Sequence, residues 1–198
     1  PVIHGPPSKM IDMHKALKRI HKEIMPLHEE WIGGHKLKPT SIYGMRLYKN
    51  GSSLSMHCDK CHTHVVSSII HVGHEYDNDD EPWPIEIEGH DGKLYQVNLE
   101  PGQMLFYESA KALHGRRAMF KGRYYAGLFA HYQPVDKTVW NCAMDDIINA
   151  IPPHWSEGMI RVPNAPVAGA AITVPSRRCE NAPPLITSVN DAHVRSEL

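Results

Sequence analysis

Between residues 40 and 132 the chain is cut by turn signals into short apolar and β-branched runs, and this spacing constrains the fold more than any other feature. Asn50-Gly51, Asp91-Gly92, Pro101-Gly102 and Lys121-Gly122 each place a glycine where a chain reversal needs backbone freedom. The runs between them predict strands at 42–48, 54–59, 65–72, 85–88, 94–99, 104–107 and 123–132. The run 65–72 is almost wholly apolar or small, as a strand buried on both faces would be. Residues 76–82 read as an acidic loop. Short strands separated by turns, with no helices alternating between them, predict a mainly-β sandwich or barrel rather than a parallel sheet.

Ahead of this region, residues 8–31 carry a helical pattern. Met10, Met13, Leu17, Ile20, Ile24, Leu27 and Trp31 follow steps of three and four, with Lys15, Lys18, Arg19, Lys22 and Glu23 opposite. Ser8 is the expected N-cap, Pro26 the expected bend, and Gly33-Gly34 the stop. The helix is expected to pack on a sheet. Residues 138–151 predict a short helix ended by Pro152-Pro153, and from 163 onward the sequence is rich in Pro, Ala, Val and Ser without a sustained period. The expected organisation is one domain over 1–162, with helical support at 1–39, a β core at 40–134 and a helical segment at 135–162. A Pro/Ala-rich arm or tail follows at 163–198.

Composition narrows the function classes. Lys and Arg number 21 against 22 Asp and Glu, a net charge of -1 that disfavours nucleic acid as partner. No apolar run reaches the ~20 residues of a membrane helix. The opening PVIHGPPSKM lacks the basic-then-apolar layout of a signal peptide; the compartment stays open, with a cytoplasmic one slightly favoured. Four cysteines, at 58, 61, 142 and 179, are too few for a disulfide scaffold and show no paired spacing. Fifteen histidines invite a metal. His14, His21, His28 and His35, on or just after the helix, are expected in solvent.

The densest chemical cluster is Met56-His57-Cys58-Asp59-Lys60-Cys61-His62-Thr63-His64. One reading takes Cys58 and Cys61 as a zinc pair, but a structural zinc needs four ligands, and no second CxxC or HxxxH is present. The other takes His57 and Asp59, which point to one face of a strand because side chains repeat every two residues. A histidine from a later strand would complete a two-histidine, one-carboxylate triad with open positions, the arrangement suited to Fe(II) that binds a cosubstrate and oxygen together. His114 is the natural third ligand. Cys58 would then face away, as a small buried thiol.

The segment from Tyr48 to Asp59 resembles the Y-x-x-G-x-x-x-x-x-H-x-D segment of the prolyl 4-hydroxylases, which belong to the Fe(II)/2-oxoglutarate dioxygenases. Pro101 to Tyr107 is similar to the family's strand before the distal histidine, and His114-Gly115 to that histidine. The resemblance covers roughly residues 40–132. It implies a double-stranded β-helix, a jelly roll with flanking helices. It also implies His57, Asp59 and His114 as iron ligands, and Tyr48 as a contact to the far carboxylate of 2-oxoglutarate. The cofactors would be Fe(II), 2-oxoglutarate and O2, with ascorbate as an accessory reductant. The family's basic anchor for that carboxylate falls at Tyr124, one residue past Arg123. Arg123 is therefore the expected anchor, because a guanidinium pairs with a carboxylate in bidentate fashion, and Lys121 is the fallback. Alternation puts Arg123, Tyr125, Gly127, Phe129 and His131 on one face.

An intact Asp59 argues for hydroxylation, since related halogenases replace that carboxylate with a small residue. Leu54 stands where the prolyl hydroxylases often carry an aromatic. Tyr76, Trp83 and Trp140 are candidates to line a peptide groove, and Arg116 to touch substrate at the rim. The reading is a hydroxylase of prolyl residues in a peptide or protein. Its alternatives are the same chemistry on a free amino acid or small metabolite, and a non-catalytic, cupin-like metal- or peptide-binding module.

Overall fold

In the computed structural model, which describes residues 2–79, 81–89, 91–140 and 194–195, the turn-punctuated middle of the chain forms two antiparallel sheets. The elements are β1 (Ile3–His4), β2 (Lys9–Ile11), α1 (Lys15–Trp31), β3 (Leu37–Ile42), β4 (Met45–Tyr48), β5 (Ser53–His57) and β6 (Val66–Tyr76). They continue with β7 (Ile85–Glu88), β8 (Leu94–Val97), β9 (Met104–Tyr107), β10 (His114–Arg116), β11 (Gly122–Pro134) and β12 (Val194–Arg195). One sheet runs β1-β5-β10-β7-β8; the other runs β12-β9-β6-β11-β4-β2, with β3 also paired to β11. This is the mainly-β jelly roll that the turn spacing and the resemblance both implied.

The helix starts later than its pattern suggested. Residues 9–11 are a strand paired with β4, His14 is the N-cap, and the Asp12 carboxylate accepts the His14 backbone N–H. Met10 is exposed there, so its fit to a helical stripe is coincidental: pairing along a sheet edge overrides local propensity. Pro26 lies inside α1, yet the helix continues to Trp31. A proline there costs about 3 kcal/mol. Burying Ile24 and Trp31 returns roughly 1.5–3 kcal/mol each, enough to hold the last turn against the sheet.

The expected strand 42–48 is broken in two. A Cβ on Gly44 would sit 2.2 Å from the Ile11 carbonyl oxygen, so the chain passes close under β2 and turns between β3 and β4. β6 runs on to Tyr76, past the predicted end, because β11 pairs along its whole length. His114 lies in a strand of its own rather than in a connecting stretch.

The principal core lies between α1 and the seven-stranded sheet and includes Ile24, Trp31, Ile32, Val65, Val66, Phe106 and Tyr132. Tyr48, Trp83, Phe120 and Tyr125 form a separate aromatic cluster. Trp140 is buried in the principal core, and its indole N–H donates to the Cys61 carbonyl at 3.0 Å. Cys61 is disulfide-bonded, a pairing the sequence spacing does not reveal because it depends on spatial approach. Among the described residues no helix is long and apolar enough to cross a membrane. Most of the expected helix 138–151, and all of the tail 163–198 except β12, lie outside the described residues.

Candidate metal centre

Two neighbouring strands carry the three candidate ligands. β5 and β10 pair antiparallel with His114 directly opposite His57, which brings together residues far apart in the chain. A Cβ on Gly115 would meet the Ser55 and Leu54 carbonyl oxygens at 2.8 and 2.9 Å, so glycine beside His114 permits this close approach of backbones. The two imidazole centroids are 4.3 Å apart. Asp59 follows β5, fixed by its backbone N–H donating to the Ser109 carbonyl at 2.7 Å.

Both histidines are oriented in the same way. His57 Nδ1–H donates to the Ser55 carbonyl at 2.8 Å, and His114 Nδ1–H to the Ala112 carbonyl at 2.9 Å, each two residues back along its own chain. A proton held on Nδ1 leaves the Nε2 lone pair pointing to the site, which is the tautomer a metal needs. His57 Nε2 lies 3.7 Å from Asp59 Oδ1, and His114 Nε2 lies 3.9 Å from Asp59 Oδ2. All three ligand atoms fall within 4.8 Å of one another. The 3.7 and 3.9 Å separations are each shorter than two bond lengths of roughly 2.1 Å, so an ion fits between either imidazole and the Asp59 carboxylate. Burial pushes the His114 pKa down to about 4, against the opposing pull of its bond to Ala112, so the ring is neutral and able to ligate.

The triad borders a cavity of about 400 Å³. Tyr48, Arg46 and Arg116 line it, as do Tyr43, His64 and His131, with Val2, Ile3 and Leu54 supplying apolar wall. His131 Nδ1 shares a 2.6 Å hydrogen bond with Ser67 Oγ, and the His64 and His131 rings lie 4.0 Å apart. Burial holds His131 well below the usual imidazole range. Tyr107 packs edge-on against His114; burial first, then the charge of Asp59, raises its phenol well above the usual range and keeps it neutral.

Of the residues singled out from sequence, His57, Asp59, His114, Tyr48, Leu54 and Arg116 line this cavity. Arg123 does not. Its side chain is 78% exposed and bonded to Glu75 at 3.2 Å. The register of β11 against β6 shifts between Gly122 and Tyr124 and again between Ala126 and Gly127, so simple alternation fails at this end of the strand while Phe129 and His131 still face inward. The fallback, Lys121, is paired with Glu81 at 2.7 Å, 66% exposed. Tyr76, Trp83 and Trp140 are packing groups, not groove walls. The Tyr76 hydroxyl accepts the Trp83 backbone N–H, and Trp83 packs on Tyr48, Phe120 and Tyr125. Trp140 belongs to the helix–sheet core.

Sequence reasoning missed Arg46, Tyr43 and Tyr107. Arg46 was legible in principle, because it stands two residues before Tyr48 and so shares its strand face.

No protein-family model matches the chain, and no curated protein matches it by sequence. Among solved structures, an oxidoreductase of the 2OG-Fe(II) oxygenase family from Burkholderia pseudomallei aligns with a TM-score of 0.50 and 12% identity. That alignment covers 63% of this chain and 61% of the other, less than two thirds of its length. A prolyl-4-hydroxylase from Pseudomonas putida aligns with a TM-score of 0.46 and 14% identity, over 65% of this chain and 72% of that one. A prolyl hydroxylase from Trichoplax adhaerens, in complex with a hypoxia inducible factor peptide fragment, aligns with a TM-score of 0.46 and 14% identity, over 63% and 61%. The first of these likenesses supports the fold.

Proposed function

We propose that the chain is an Fe(II)- and 2-oxoglutarate-dependent hydroxylase whose substrate is a prolyl residue in a peptide. The observation that carries this reading is the convergence of His57, Asp59 and His114 on one edge of a cavity of about 400 Å³. Two imidazole nitrogens and a carboxylate suit Fe(II), and a triad leaves coordination positions for a 2-oxo acid and O2. Fe(II) held there supplies the oxidising chemistry; the protein supplies position and shelter.

The residues divide that work. Ser55 and Ala112 carbonyls aim the two rings, so ligand geometry is set before metal arrives. Asp59 would give a carboxylate oxygen to Fe(II), consistent with hydroxylation. The Tyr48 hydroxyl, on a side chain only 1% exposed, presents a buried hydrogen-bonding group to a bound cosubstrate. Tyr43, His64 and His131 form a polar wall for a substrate. Support for proline rests on the resemblance of the Tyr48–Asp59 segment.

The test has two stages. Adding Fe(II) and 2-oxoglutarate without oxygen should give a visible metal-to-ligand charge-transfer band, and admitting oxygen should give succinate. No band and no succinate would leave a binding module. With ascorbate present, proline-rich peptides should gain the mass of one oxygen atom. Oxygen gained by free amino acids and never by peptides would overturn the prolyl-peptide reading.

A further inference from the structure

Three cations line the cavity, Arg46, Lys60 and Arg116, and two more, Arg123 and Lys121, were expected there from sequence; they differ in what already holds them. Arg123 and Lys121 are exposed and paired with Glu75 and Glu81. Lys60 is an exposed rim residue. Arg116 is buried, its guanidinium 4.6 Å from the Trp83 ring centroid and 4.4 Å from that of Tyr125. It donates to the Trp83 carbonyl and, at 2.9 Å, to the Tyr125 hydroxyl, so it is built into the wall. Arg46 is different. Among the described residues it has no ion-pair partner, and its Nε is buried without a hydrogen-bond acceptor. Its one hydrogen bond, from Nη1 to the Tyr48 hydroxyl, is long at 3.4 Å.

The strand register explains how Arg46 reaches this place. Arg46 on β4 stands opposite Gly127 of β11, and Tyr48 stands opposite Tyr125. Glycine at that rung puts no side chain of β11 in the way, and the Arg46 guanidinium lies 5.4 Å from the ring centroid of Phe129, the next inward residue of β11. Its charge acts on Tyr107 and His131, both on the cavity wall. A guanidinium with unfilled donors beside a buried phenol hydroxyl, in the cavity that borders a metal triad, is a seat for a carboxylate.

We infer that Arg46, together with Tyr48, anchors the far carboxylate of the 2-oxo acid cosubstrate, so that selection for a dicarboxylate comes from β4 and not from the cation on β11 that the family resemblance implied. The inference rests on the function proposed above. Arg46 acts by binding and specificity.

The test compares 2-oxoglutarate with 2-oxopentanoate, which keeps the metal-binding end and lacks the far carboxylate. Binding of each to the full chain loaded with Mn(II) is measured by calorimetry without turnover. Wild type should prefer 2-oxoglutarate. Arg46→Met should shrink that preference roughly 10- to 100-fold, the loss expected for a charge-assisted hydrogen-bond pair, with 2-oxopentanoate affinity unchanged. Arg46→Lys should recover part of the preference, and Arg123→Ala should leave it at the wild-type value. A folding defect would weaken both acids equally, and equal weakening overturns the inference. So does an Arg46→Met protein that keeps the preference, or an Arg123→Ala protein that loses it. A wild type that binds both acids without preference removes the anchor but leaves the metal-centre reading standing. A wild type that binds neither overturns both.

Discussion

His21 and His28 on α1, and His57 and His114 on β5 and β10, are the same side chain put to two uses. In both pairs a ring nitrogen donates to a backbone carbonyl: His21 to His131, His28 to Ile24, His57 to Ser55 and His114 to Ala112. Burial lowers the pKa of both His28 and His114 to about 4. The difference lies in where the second nitrogen ends. At the metal centre both Nε2 atoms meet around Asp59. Under α1 the His28 Nε2 has no hydrogen-bond partner among the described residues, and its ring packs at 4.7 Å against Phe106 and 4.4 Å against Tyr132. Burial and neutrality therefore do not single out a candidate ligand; convergence on a carboxylate beside an open cavity does. Of the four histidines expected in solvent, His14 and His35 are exposed, while His21 and His28 are buried against the core.

The sharpest way to break the comparison is to remove ligands from one side and rings from the other. His57→Ala, Asp59→Ala and His114→Ala should each reduce 2-oxoglutarate turnover to background and abolish Fe(II) binding in anaerobic titration. Substantial succinate formation by any one of them would sink the triad. His28→Ala should leave metal binding intact and instead cost about 3–5 kcal/mol of folding stability, comparable with deleting a buried aromatic ring. Denaturant unfolding measures that cost, and an unchanged midpoint would show that the ring is not part of the core.

A smaller effect reads the burial of His28 through pH. The His28 pKa is about 4 in the fold and near 6.5 in an unfolded chain. Above 6.5 both states are neutral there, and its contribution to stability is fully present. As pH falls through 6.5 the unfolded chain takes up a proton that the folded chain refuses, so stability drops until about pH 4. The loss from this one ring is roughly 3 kcal/mol. The metal-free protein should therefore unfold more easily at pH 4.5 than at pH 7, and His28→Leu should flatten that slope. A variant with the wild-type slope would locate the acid sensitivity elsewhere, with His71 and His114, both also lowered to about 4 by burial, as the next residues to change.

What could be read from sequence was whatever depends on short-range period. Strand after strand follows from turn glycines and alternation, and the spacing of His57 and Asp59 marked them as a pair, although β5 ends at His57 and Asp59 lies just beyond it. Errors appear where a local pattern met a tertiary constraint. Met10 fitted a helical stripe, yet residues 9–11 pair with β4. Arg123 fitted the alternation of β11, but register shifts carry it to solvent. Trp83 and Trp140 had the chemistry of groove walls and instead fill cores.

The sequence by itself determined the mainly-β class, the His57–Asp59 pair and the expectation that His114 completes it, because periodicity and turn chemistry act over a few residues. Only the tertiary structure decided that His114 lies across from His57, which histidines face a cavity and which face a helix, and which cation enters the site. Those outcomes depend on strand register and on the pairing of distant strands, where a shift of one residue moves a side chain from the cavity to the solvent.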